Sequence, residues 1–119
     1  MSQFTVRVRV ANPADPARQA EVELLVDTGA TSTWVSAELL EKIGAPPLPR
    51  RSCLLADGRR GERATAAAVV TRNGVEVSIT LVAAQPGDAQ LLGATALESL
   101  GFAVDPEGRR LLPRELLAM

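Results

Sequence analysis

The sequence predicts a small, closed all-β fold with one or two short helices. Three observations carry this expectation. Apolar residues alternate with polar ones at Phe4, Val6, Val8 and Val10, and again at Val75, Val77, Ile79 and Leu81; this period of two belongs to half-buried strands. Turn signals recur at close spacing, at Asp57-Gly58, Asn73-Gly74, Gln85 to Asp88 and Asp105 to Gly108, which leaves room only for short elements. The apolar residues are mainly Ala, Val and Leu, with Phe4, Trp34 and Phe102 as the only aromatics. Short strands at such spacing, with brief helices between them, imply a compact closed β-structure.

Taken in order, Phe4 to Val10 reads as a first strand and Ala11 to Pro16 as a turn rich in breakers. Ala20 to Val26 is a second strand, forming a hairpin with the first. Ser36 is placed to cap a helix over Ala37 to Ile43; Gly44 suits its C-terminus, and Pro46 and Pro47 prevent its continuation. Pro46-Pro47-Leu48-Pro49-Arg50-Arg51 has the composition of a proline-rich ligand, but after a helix it reads as a plain loop. Ser52 to Leu55 is a strand. Glu62 to Thr71 is alanine-rich, which permits helix, yet Val69, Val70 and the following Asn73-Gly74 make it a hairpin strand. Leu91-Leu92-Gly93 is a short strand, Ala94 to Leu100 a helix closed by Gly101, Phe102 to Val104 a strand and Arg109 to Leu112 the last one. At 119 residues, with no long linker and no repeat, residues 1–119 are expected to form one domain.

Composition excludes several classes of function. With 13 basic and 14 acidic residues the net charge is −1, so there is no electrostatic case for nucleic acid or an anionic membrane. Near-neutrality also removes one barrier to self-association. The chain has no histidine, which excludes Ser-His-Asp and Cys-His catalysis and argues against zinc catalysis. Cys53 is the only cysteine and is expected to be a structural thiol. No apolar run approaches the ~20 residues of a membrane span, and Met1 to Thr5 carries no signal pattern. The expectation is a soluble, cytoplasmic protein.

The most informative stretch is Asp27-Thr28-Gly29-Ala30, which follows the apolar strand Val22 to Val26 and precedes Thr31-Ser32-Thr33. A carboxylate ends a strand, a hydroxyl follows, and a glycine then permits a sharp turn or a close approach. The chain has no second Asp-Thr-Gly or Asp-Ser-Gly. This stretch resembles the active-site loop of the retropepsin-like aspartic proteases, whose small members carry one copy per chain and complete the site by homodimerisation. The resemblance extends along the chain. Leu54 to Thr65 occupies the place of the flap, Asn73-Gly74 that of a second hairpin, and Leu91-Leu92-Gly93 that of an apolar-apolar-glycine signature before the last helix.

The resemblance implies an acid-protease barrel, one lobe per chain, and an aspartic endopeptidase acting on a peptide or protein substrate without a cofactor or metal. Asp27 would be catalytic, with Thr28 bracing the loop across the dimer, Gly29 allowing close approach and Ala30 lining the pocket. Ala56, Asp57, Gly58 and Arg59 would be flap residues that contact substrate. Two carboxyl groups ~3 Å apart share a proton and titrate as a unit, so Asp27 of a second copy must supply the other half. The alternative of the same fold is a catalytically weak or inactive peptide-binding or scaffolding dimer; a β-domain in which the triplet is fortuitous is the alternative outside it.

The chain departs from the retroviral pattern at several points. Thr31 and Ser32 stand where two acidic residues are common, and Ala94 where a basic residue follows the later glycine. The flap tip Asp57-Gly58-Arg59-Arg60-Gly61 is not glycine-rich in the usual way. Trp34 stands where a smaller aliphatic is common and reads as a core or interface anchor. Arg59, Arg60 and Arg63 read as a solvated hairpin, with recognition of acidic substrate side chains as the sharper alternative. Asp57, Asp88 and Asp105, each beside glycine or proline or closing a turn, read as turn residues.

Overall fold

The computed structural model describes residues 3–55 and 57–114. The first hairpin pairs β1 (Thr5–Asn12) with β2 (Asp15–Val26). Its register sets Val6 opposite Leu24 and Val8 opposite Val22, so Val6, Val8 and Val10 are buried while Arg7 and Arg9 face solvent. The turn is tighter than the breakers suggest. Asn12 is buried, and its Oδ1 accepts the Ala14 N–H at 2.8 Å and the Asp15 N–H at 3.3 Å. Its Nδ2 donates to the Ile43 and Gly44 carbonyls at 3.1 and 2.9 Å, tying the hairpin end to the end of the first helix.

β3 (Thr33–Ser36) runs into α1 (Ala37–Lys42), where the Ser36 Oγ accepts the Leu39 N–H as expected of a cap. The proline-rich run is not the loop expected of it: Pro47–Leu54 is strand β4, paired with β5 (Arg60–Arg72). β4 ends the order of strands, and its register shifts between Leu48 and Arg51. An edge with a bulge is where a strand tolerates residues that lack an N–H. β5 and β6 (Val75–Ala84) join at Asn73-Gly74, whose φ values of 51° and 80° define the expected tight turn. β7 (Leu91–Leu92) precedes α2 (Ala94–Leu100), and β8 (Phe102–Asp105) pairs with β9 (Arg110–Pro113) in a separate two-stranded sheet.

The main sheet runs β1-β2-β7-β3-β6-β5-β4. β1 also pairs with β5, Val10 opposite Val70, which brings the strand order back on itself as the closed β expectation requires. The core is aliphatic: Val10, Leu24, Val35, Val70, Leu81 and Leu92 are fully buried, and Ala96, Leu97 and Leu100 of α2 pack onto them. Among the described residues no helix is long and apolar enough to cross a membrane.

Candidate active site

β2 delivers Asp27 to the middle of the sheet. β2 runs parallel to β7 with Leu25 opposite Leu91 and Val26 opposite Leu92. The Val26 N–H donates to the Phe4 carbonyl at 3.0 Å and the Asp27 N–H to the Leu92 carbonyl at 3.1 Å. The strand therefore stays paired up to the aspartate, and the chain turns immediately afterwards. The Ala30 N–H donates to the Asp27 carbonyl at 3.2 Å, and the Gly29 N–H to the Asp27 Oδ1 at 2.9 Å. That side-chain bond fixes the carboxylate against its own loop, and Oδ2 accepts no protein hydrogen bond among the described residues.

The loop is strapped to the start of α2. Ala94 and Thr95 donate their N–H groups to the Ala30 and Thr31 carbonyls at 2.7 and 3.2 Å, so the first amides of the helix have acceptors despite the absence of a side-chain cap. The buried Thr33 Oγ1 accepts the Gly93 N–H at 3.0 Å. Gly93 itself permits the approach: a Cβ there would collide with the Ser32 carbonyl and lie 2.9 Å from the Ala30 oxygen. This is the physical content of Leu91-Leu92-Gly93, with two strand residues beside the aspartate's strand and a glycine against its loop.

Asp27, Gly29 and Ala30 line a cleft of about 630 Å³. Leu54, Leu55, Asp57 and Arg59 of the β4–β5 hairpin face it from one side, and Pro86 to Ala89 of the β6–β7 turn from another. Trp34 and Leu91 also line it. Of the candidate catalytic, supporting and flap residues, Asp27, Gly29, Ala30, Asp57 and Arg59 thus share one cavity. Thr28 does not: it is exposed and opens onto a second cleft of about 500 Å³ with Ala94, Leu97, Glu98 and Phe102. Gly58 sits at the hairpin tip with φ 84° and open space around it, and Ala56 lies outside the described residues.

At the hairpin tip Asp57 and Arg59 satisfy each other. Leu55 N–H donates to the Arg59 carbonyl at 2.8 Å, and Gly58 N–H to the Leu55 carbonyl at 2.9 Å. The Asp57 carboxylate accepts the Arg59 N–H at 3.0 Å and its Nε at 2.6 Å. The backbone N–H first, and the guanidinium second, hold the Asp57 carboxyl below the usual range. Asp57 is therefore the turn residue that its neighbours imply.

Two residues behave differently from the sequence expectation. Trp34, expected as a core or interface anchor, is half-buried in the cleft wall and not in the core, because along β3 Thr33 and Val35 take the buried side. Arg63 is not solvated. It forms a sheltered two-pronged pair with Asp88, Nε to Oδ2 at 2.7 Å and Nη2 to Oδ1 at 3.0 Å. The cleft roles of Leu54, Leu55 and Pro86 to Ala89 were legible only as turns and strand ends. Among the described residues no group of three or more His, Cys, Asp or Glu side chains is placed to hold a metal ion.

This arrangement, a strand-end Asp-Thr-Gly loop strapped to a Gly-capped helix inside a closed β-sheet, defines a retroviral-protease type of fold. The EIAV protease, solved in complex with the inhibitor HBY-793, matches it with a TM-score of 0.61 at 18 % identity, over 83 % of this chain and 88 % of that one. No curated protein matches the sequence. The family model described as "gag-polyprotein putative aspartyl protease" matches residues 17–99, which include Asp27, the hairpin and Leu91-Leu92-Gly93. The chain belongs to this aspartyl protease family.

Proposed function

We propose that the chain is an aspartic endopeptidase that acts as a homodimer, with Asp27 from each copy forming the catalytic pair. The observation that carries this is the position of the Asp27 carboxylate: pinned by the Gly29 N–H and lining a cleft under a projecting hairpin. One carboxylate takes a proton from a water as that water attacks the peptide carbonyl, and its protonated partner donates to the carbonyl oxygen. The pair then protonates the leaving nitrogen as the tetrahedral intermediate collapses. A two-fold axis through the loop places equivalent residues opposite each other without any further device. Thr28 suits that axis, since it is exposed on the side of the loop away from the cleft.

The substrate is an extended peptide lying between the hairpin and the Pro86–Ala89 turn. The hairpin serves as a flap, adding main-chain hydrogen bonds in the manner of strand addition. Leu54, which is 70 % exposed, supplies apolar contact at its end. The test is cleavage of a diverse peptide mixture between pH 4 and 7 by wild type and by Asp27→Asn. The expected result is cleavage by wild type only. Equal cleavage by both variants would sink the mechanism, and no cleavage by either, from a protein shown to be dimeric, would transfer the site to peptide binding; binding of a statine-type transition-state mimic would argue against that transfer.

A further inference from the structure

The β4–β5 hairpin projects beyond the sheet that supports it. β5 pairs with β6 only from Thr65 onward, so Arg60 to Ala64 have β4 alone as a neighbour strand. Along the projecting part, Arg50 pairs with Glu62 and Asp57 with Arg59, which are bonds inside the hairpin. Among the described residues, the polar contact that joins it to the body of the protein is the Arg63–Asp88 pair.

That pair also differs from the others in environment. The Arg63 and Asp88 side chains are 17 % and 18 % exposed, whereas every other ion pair of the described residues has a member at least half exposed. Two parallel N–H···O bonds define a direction as well as a distance. Asp88 is anchored in turn, since its Oδ2 accepts the Gln85 N–H at 2.9 Å. On the other side the contact runs toward the hairpin tip: a Cβ on Gly61 would lie 3.0 Å from Leu55 Cδ1 and 3.3 Å from Arg63 Nη1. Leu55 therefore folds over the bare Gly61 beside the guanidinium. Leu55, Arg63 and Asp88 all line the cleft of Asp27, so the chain of contacts crosses from one wall to the other.

We infer that Arg63 and Asp88 are positioning residues whose ion pair sets the distance between the hairpin and the Pro86–Ala89 turn, and with it the width of the peptide cleft above Asp27. This rests on the endopeptidase assignment for its catalytic consequence, but not for its structural one. A sheltered ion pair loses hydration on both partners, so its net stabilisation is small; what it supplies is a defined geometry. Arg63 acts on the substrate through the position of Leu55 and the hairpin rather than on the reacting atoms.

The experiment uses Arg63→Met, Asp88→Asn and the charge swap Arg63→Asp with Asp88→Arg, in the full chain. Two readouts are taken: KM and kcat on a peptide that wild type cleaves, and amide hydrogen exchange of Leu54, Leu55 and Gly61 relative to Val8 and Val70. Each single variant is expected to raise KM about fivefold, with a smaller effect on kcat, and to speed hairpin exchange by about fivefold while the core amides hold, as loss of a contact worth about 1 kcal/mol implies. The swap recovers a large part of both. Hairpin exchange within twofold of wild type in both single variants overturns the inference, as does faster exchange of hairpin and core together, which marks general destabilisation. A kcat loss at constant KM also counts against it. If wild type cleaves no peptide the endopeptidase assignment fails, and the exchange ratio still decides whether the pair positions the hairpin.

Discussion

Replacing Thr33 by valine isolates the strap that holds the active-site loop. Thr33 is 2 % exposed, and its Oγ1 accepts the Gly93 N–H at 3.0 Å inside the protein. Valine has the same shape, so the substitution leaves no cavity and removes only the acceptor. The Gly93 N–H is then buried without a partner, which costs about 1–3 kcal/mol. Taking about 2 kcal/mol and an unfolding entropy of about 2.1 cal/mol/K per residue, the melting temperature should fall by about 8 °C. Thr33→Ser keeps the acceptor and loses one buried methyl, which costs about 1 kcal/mol, and should fall by about half as much. The assay is thermal and guanidinium unfolding at fixed protein concentration, since association shifts the midpoint, with hydrogen exchange at the Gly93 amide as the local readout. A Thr33→Val protein that melts within 2 °C of wild type, or a Gly93 amide that keeps its protection, would refute the argument that this bond is a stabilising part of the strap.

Other outcomes follow from the same contacts. Gly93→Ala drives a methyl into the Ser32 and Ala30 backbone and should cost about 3 kcal/mol, the upper end of overpacking, with peptidase activity lost alongside; a fully active Gly93→Ala enzyme would show that the loop is free to shift. Asn12→Ala strips both carbonyls at the end of α1 and both amides of the first turn, and should lower stability by about 2–3 kcal/mol in denaturant unfolding; a change below about 0.5 kcal/mol would mean that water replaces the side chain. The Arg63 guanidinium, chiefly through its hydrogen bonds, holds the Asp88 carboxyl below its ordinary value. A depressed folded-state pKa gives stability that is complete above the unfolded value of about 3.9 and is lost as pH falls through the folded one. The stability gap between wild type and Asp88→Asn should therefore be constant from pH 7 to about pH 5 and close in stronger acid. A gap that does not narrow as the pH falls from about 5 into stronger acid would rule out the ion pair as its source.

Much of the local structure was already decided by neighbouring residues. The alternation at Val6, Val8 and Val10, the positive-φ pair Asn73-Gly74 and the Ser36 cap need no distant partner, and each forms where its residues place it. The Asp27 loop was legible for the same reason: a strand end followed by residues that turn is a local device, and Leu91-Leu92-Gly93 carries a spacing that a sequence displays. The exception is β4, where Pro47 and Pro49 suppress the strand signal and only an edge position with a bulge admits them.

What the sequence alone determined, then, is most of the strands and turns and the Ser36 cap, together with the carboxylate that the fold presents; β3 and the proline-bearing half of β4 were not among them. What only the tertiary structure decided is which of these pieces meet. Trp34 faces the cleft because β3 lies between β7 and β6. Thr28 and Asp27, adjacent in sequence, open onto different clefts because the chain turns between them. Arg63 finds Asp88 across 25 residues, and no local pattern distinguishes that arginine from Arg59 or Arg60. Propensity and periodicity act over a turn or a strand, whereas a cleft is made by packing distant segments, and the free energy that selects those contacts belongs to the closed sheet as a whole.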